Sequence, residues 1–129
     1  MAEYVVWLDS EKATIFSLKA EGIENSHVKT SSSEKPNRDN KDADAGQVHF
    51  FKDIASQIKD AQSTLLVGPG LAKNHFKKYA EEHLAGTVGK SIIGMETSDH
   101  PSDKKVLEIA QPHFKTYEKF DAPITQASN

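Results

Sequence analysis

The chain has 129 residues, 27% of them charged and 36% hydrophobic, with a formal net charge of −3. This is one domain's worth of chain with a lean core, and its acidic balance excludes a sequence-independent DNA binder. There is no cysteine, which removes disulfides, thiolate metal sites and thiol nucleophiles. No apolar run approaches the roughly 20 residues a membrane span needs. The N-terminus shows no basic region followed by an apolar one, so a cytoplasmic address with no membrane partner is expected.

Taken in order, Tyr4 to Leu8 (YVVWL) is β-branched and aromatic, the pattern of a buried strand. Asp9 to Lys12 is a connector of hairpin length, and Ala13 to Leu18 alternates as a second strand. After Glu21-Gly22, the polar Ile23 to Thr30 predicts a third strand at an edge or with a solvated face, which an interaction partner or a second copy could extend. Ser31 to Ala45 (SSSEKPNRDNKDADA) then holds no large apolar side chain. A stretch of that length inside a compact domain is read as a functional or disordered loop.

Phe51, Ile54, Ala55 and Ile58 recur at helical spacing and predict a helix over Gly46 to Ala61, with Asp44 as its N-cap. Thr64 to Val67 is a bare apolar run that enters Gly68-Pro69-Gly70 and hands over to a helix from Leu71 to Leu84. That helix has Phe76, Tyr79, Ala80 and Leu84 inside and Lys73, Lys77 and Lys78 in solvent. Val88 to Met95 is expected as a further strand. Ser98-Asp99-His100-Pro101 predicts the start of a last helix, which Pro112 breaks. Asp121 to Asn129 is expected to be a flexible tail. The result is an α/β fold, βββαβαβα. It forms a five-stranded mixed sheet of ribonuclease H-like order with helices against it, a single domain over 1–120 with the long polar loop at 31–46.

Several places invite chemistry. Gly68-Pro69-Gly70 with Lys73 suggests an anion site but lacks the phosphate-loop pattern, and a tight strand-to-helix turn explains it. A ribonuclease H-like nuclease needs metal-binding carboxylates; Asp9 and Asp53 suit, but the fourth strand has none. The histidines, among them His75 and His83 eight residues apart, show no metal-ligand motif. No metal and no cofactor are therefore expected. The lysine clusters read as solvated helix faces or RNA contacts.

The strand ending in VGPG, the AKxxF helix after it and the long loop ahead of the first helix resemble the central domain of the archaeal and eukaryotic class I peptide chain release factors. They are similar also to Pelota and to single-domain bacterial relatives, including host-attachment-type proteins. The resemblance covers most of Tyr4 to Tyr117. In that family the loop carries a Gly-Gly-Gln tripeptide that enters the peptidyl-transferase centre, where the glutamine positions water against peptidyl-tRNA. Here the tripeptide is Ala45-Gly46-Gln47, the alanine restricting the backbone.

The resemblance implies a translation-machinery-associated protein that binds ribosome or tRNA, without the codon-reading and partner-recruiting domains. Lys35, Arg38 and Lys41 would contact RNA phosphates, together with Gly46 and Gln47. Two alternatives stand beside it. One is a peptidyl-tRNA ester hydrolase with Gln47 as catalytic residue. The other is a non-catalytic interaction module forming a homodimer through an edge strand. Binding without catalysis is the leading expectation, and DNA is not an expected partner.

Overall fold

In the computed structural model the described residues are 2–29, 44–120 and 122–126, with the side chains of the first helix described from Val48 onward. Strands β1 (Ala2–Leu8), β2 (Lys12–Lys19) and β3 (Gly22–Lys29) form the antiparallel meander expected. Helix α1 (Asp44–Gln57) leads to β4 (Ala61–Gly68), which lies parallel to β1 with Val5 opposite Leu65 and Trp7 opposite Val67. Helix α2 (Ala72–His83) and the short α3 (Val88–Ser91) precede β5 (Ile92–Thr97), parallel to β4. Helix α4 (Asp103–Ala110) ends in a 3-10 turn at Gln111–His113, where Pro112 has no N–H to continue the helix.

Among the described residues the sheet has six strands rather than the five expected, in the order β5-β4-β1-β2-β3-β6. The sixth, β6 (Ile124–Gln126), lies in the segment read as tail and runs parallel to Ile23–Asn25 of β3. It is held there by the chain before it. The Tyr117 hydroxyl lies 2.9 Å from the Lys19 carbonyl and 2.8 Å from that of Gly22, and burial raises the Tyr117 pKa. Tyr117, Phe120 and Ile124 pack on the core beneath. The edge of β3 offered for a homodimer is thus covered over Ile23–Asn25.

The alternation of strand residues gives two apolar layers. Tyr4, Val6, Leu8, Ile15 and Leu66 face α1 and α2, which contribute Phe51, Ile54 and Phe76, together with Ile58 just past the end of α1. Val5, Trp7, Phe16, Leu65 and Val67 face α4 and the Phe114 segment, with Val106, Leu107 and Ala110. Both layers are filled by large side chains with almost no exposure, each removing about 1.5–3 kcal/mol worth of apolar surface from water.

The polarity of β3 is only in part the solvated face expected, at His27 and Lys29; two of its polar residues are buried. Ser26 is buried and its hydroxyl donates to Gln57 Oε1 at 2.6 Å; Asn25 is buried and its Nδ2 donates to Asp103 Oδ2 at 3.1 Å. Polar residues on this strand tie α1 and α4 to the sheet. A second difference falls at Val88–Ser91, expected as strand and found as a helical turn. Gly89 fits there because a Cβ would come within 2.6 Å of the Ala80 carbonyl of α2. Ser91 donates to the Val88 carbonyl at 2.7 Å and lies 3.0 Å from the hydroxyl of Thr64, both residues being fully buried.

Candidate functional site

The strand-to-helix turn after β4 is built by packing. Gly68 has φ 154, and a Cβ on it would stand 2.0 Å from the Leu8 carbonyl oxygen. Only glycine lets the ends of β1 and β4 approach this closely. Gly70 takes φ 61, a left-handed turn position that favours glycine. Lys73, expected in solvent, is 4% exposed, and its ammonium donates to the Gly70 carbonyl at 2.8 Å. The cation that would serve an anion site closes the turn instead.

Beside this turn stands a polar cluster that the sequence did not announce. Asp9 Oδ1 accepts the backbone N–H groups of Glu11 and Lys12 at 2.8 Å each, and Asp9 Oδ2 lies 3.0 Å from His100 Nε2. Burial alone would raise the Asp9 pKa; the Glu11 N–H, the His100 ring and the Lys12 N–H outweigh it and hold the carboxyl below its ordinary value. The His100 ring packs on Trp7 with centroids 4.9 Å apart, and Trp7 Nε1 donates to the Asp99 carbonyl at 2.9 Å. The cluster is a clasp between the β1 end and the loop before α4. Asp53 lies apart from it on the exposed side of α1. Among the described residues, no group of three or more His, Cys, Asp or Glu side chains is arranged to hold a metal ion.

Of the residues expected to meet RNA, Lys35, Arg38 and Lys41 lie outside the described residues. The backbone of Ala45, Gly46 and Gln47 belongs to α1, described over Asp44–Gln57. Directly after Gln47, the exposed Val48 opens a groove between α1 and α2 of about 370 Å³. Val48 and Phe51 form one wall; His75, Lys78, Tyr79 and His83 form the other, with Glu82 at the rim.

An aromatic series runs out of the core into this groove. Phe76 meets Phe51 edge-on with centroids 5.5 Å apart, Phe51 meets Tyr79 at 5.8 Å, and Tyr79 meets His83 at 5.0 Å. Phe51 and Phe76 are buried, Tyr79 is half-buried and His83 is exposed. The spacing of His75 and His83 does place both on one groove, as their two-turn separation allows. What the sequence could not reveal is that Val48 and Phe51 stand opposite them.

Over 107 residues the chain is 34% identical to the protein pelota homolog of Methanococcus aeolicus, a match that takes in 81% of this chain and 30% of that protein. The chain resembles a release-factor and Pelota-type domain. Its fold matches the crystal structure of the Thermoplasma acidophilum Pelota protein with a TM-score of 0.63 at 22% identity, over 86% of this chain and 32% of that one. The Archaeoglobus fulgidus Pelota structure matches with a TM-score of 0.63 at 17% identity, over 87% and 31% of the two chains. An archaeal translation termination factor matches with a TM-score of 0.63 at 16% identity, over 85% and 33%. The chain thus spans about a third of the length of these relatives. No family model matches it. Among the described residues no helix is long and apolar enough to cross a membrane.

Proposed function

We propose that this protein acts in translation as a ribosome- or tRNA-binding domain, in the cytoplasm, and that it binds without hydrolysing peptidyl-tRNA. The observation that carries the reading is the 34% identity to a Pelota homolog over 81% of the chain, joined by the shared fold of an archaeal translation termination factor. The contacts with RNA fall to Lys35, Arg38 and Lys41 as phosphate partners and to the backbone around Gly46 and Gln47.

The helical backbone at Gln47 favours binding over catalysis. Alanine is the best helix former, so Ala45 supports the helix α1 that takes in Gln47. A water-positioning glutamine needs backbone freedom that a helix withholds. The sheet order reads as a ribonuclease H-like scaffold used without nuclease chemistry, since Asp9 is already occupied by two backbone N–H groups and His100. Homodimerisation through an edge strand is the second reading, and the half of β3 after Asn25, which no described strand pairs on its outer side, is where it would act.

Co-sedimentation with ribosomes at low salt, followed across growth phases, tests the proposal. Association is expected, together with no peptide release from peptidyl-tRNA above background and no change on Gln47→Ala. Absence from ribosomal fractions in every phase would overturn the binding reading. Release that Gln47→Ala abolishes would overturn the non-catalytic part of it.

A further inference from the structure

The groove between α1 and α2 lies beside the contacts assigned above. Val48 is the only aliphatic side chain among its described lining residues; the rest are rings, a lysine and a glutamate. Aromatic-lined surfaces receive protein segments as well as nucleic acid, and the RNA-binding reading above decides between them here. A surface that receives unpaired RNA presents a flat ring for a base, a cation for the phosphate and a hydrogen-bonding group for the base edge.

All three are present. The ring is Tyr79, half-buried, with the Phe51 ring at 5.8 Å and the His83 ring at 5.0 Å, both tilted to it. These contacts fix its orientation before anything binds, which lowers the entropy lost on stacking. Lys78, the neighbour of Tyr79 in sequence, is exposed at the same groove and makes no ion pair among the described residues, unlike Lys77, which is engaged by Glu81 at 2.7 Å. Glu82 offers a carboxylate that accepts from the exocyclic amine of cytosine or adenine, or from guanine N–H groups. The volume of about 370 Å³ is at the small end of the range for small-molecule sites.

We infer that this groove holds a single unstacked RNA nucleotide, its base against Tyr79 and His83 and its phosphate at Lys78. The inference rests on the RNA-binding reading above and gives it a second contact point. Val48 at the groove's edge follows directly on Gly46 and Gln47 in the sequence. Phosphate contacts in the loop supply affinity, whereas the groove would make binding depend on the presence of a base.

The test uses the full chain and fluorescence anisotropy with labelled single-stranded oligoadenylate and an abasic oligomer of equal length. Wild type is expected to bind the oligoadenylate about tenfold or more tightly than the abasic strand, the size of one base–aromatic stack. Tyr79→Leu, which keeps an apolar side chain on Phe51, and His83→Ala should remove that difference while leaving abasic binding and the thermal midpoint unchanged. Tyr79→Phe should restore it. The triple variant Lys35→Ala/Arg38→Ala/Lys41→Ala should weaken both strands alike. Equal binding of the two strands by wild type would overturn the inference and leave the loop contacts standing; failure of wild type to bind either strand or ribosomes would overturn both. Loss of ribosome association in Tyr79→Leu with oligoadenylate binding unchanged would assign the groove to a ribosomal protein and overturn it as well.

Discussion

Gly68→Ala is the perturbation that most sharply separates a turn built for packing from a turn built for chemistry. The new Cβ would stand 2.0 Å from the Leu8 carbonyl oxygen and 3.1 Å from its carbonyl carbon. The atoms met are backbone, so no side chain can swing aside. Relief to beyond 3.0 Å requires moving β1 and β4 apart by about 1 Å at their ends, against a strand spacing of about 4.8 Å. Leu8 and Val67, on either side of the contact, have no exposure, so the movement also disturbs both apolar layers. Overpacking of this kind costs about 1–3 kcal/mol, and a side chain at φ 154 adds about 1–3 kcal/mol of backbone strain. Together they give about 2–6 kcal/mol, a large part of the 5–15 kcal/mol that holds a domain folded. Urea unfolding followed through Trp7, the single tryptophan of the chain, should show it, with a fall in thermal midpoint of roughly 10–20 °C. Gly70→Ala is the control. Nothing lies within 4 Å of its Cβ, and φ 61 alone should cost about 1–2 kcal/mol. If Gly68→Ala loses no more than Gly70→Ala, the close approach of β1 and β4 does not set this glycine's role.

Other perturbations follow from the same geometry. Phe76→Ala empties a fully buried site between α2 and the sheet and should lower the unfolding free energy by about 3–5 kcal/mol in urea titration. The Tyr4 hydroxyl donates to Asp60 Oδ1 at 2.7 Å, and burial, with that bond and the carboxylate charge, raises its pKa to about 12. Because the folded pKa lies above the unfolded value near 10, this contribution is fully present below pH 10 and is lost as pH rises through about 12. Tyr4→Phe should therefore cost about 1 kcal/mol at neutral pH and shift the alkaline unfolding profile of the protein. Asp9 has the opposite sign. Its folded pKa is depressed, so its contribution is present above the unfolded value and lost as pH falls through the folded one. The urea midpoints of wild type and Asp9→Asn should differ at neutral pH and converge in acid; an unchanged difference would mean that His100 and the two N–H groups do not favour the carboxylate. Tyr117→Phe removes the hydroxyl that ties the chain to Lys19 and Gly22, and faster amide exchange over Ile124–Gln126 would report the release of β6.

The meander, the central strand and the helices after it were legible because each carries its own period. YVVWL and TLLV are buried on both faces, and Phe51, Ile54 and Ile58 mark one side of a helix. What escaped the sequence was set by distant contacts. The strand Ile124–Gln126 has one apolar residue and depends on Tyr117 reaching the β2–β3 turn. The turn at Val88–Ser91 depends on Gly89 meeting Ala80, nine residues and one helix end away. Lys73 counted as a solvated residue by type, yet its stem lies under the turn and its ammonium caps Gly70. The candidate site divides in the same way. The charged loop and Ala45-Gly46-Gln47 could be read directly, whereas the groove needed the packing of α1 on α2 to bring Val48 opposite Tyr79. The clasp of Asp9 and His100, 91 residues apart, had no local signal at all.

The most direct test of RNA binding through the loop is the salt dependence of ribosome co-sedimentation, wild type against Lys35→Ala/Arg38→Ala/Lys41→Ala. Each phosphate contact contributes a slope of about 0.7–0.9 in log affinity against log salt. Wild type is expected in the ribosomal fractions at low salt, with a slope steeper than the triple variant's by about 2–3. Equal slopes, or a wild-type protein that never enters those fractions, would contradict it.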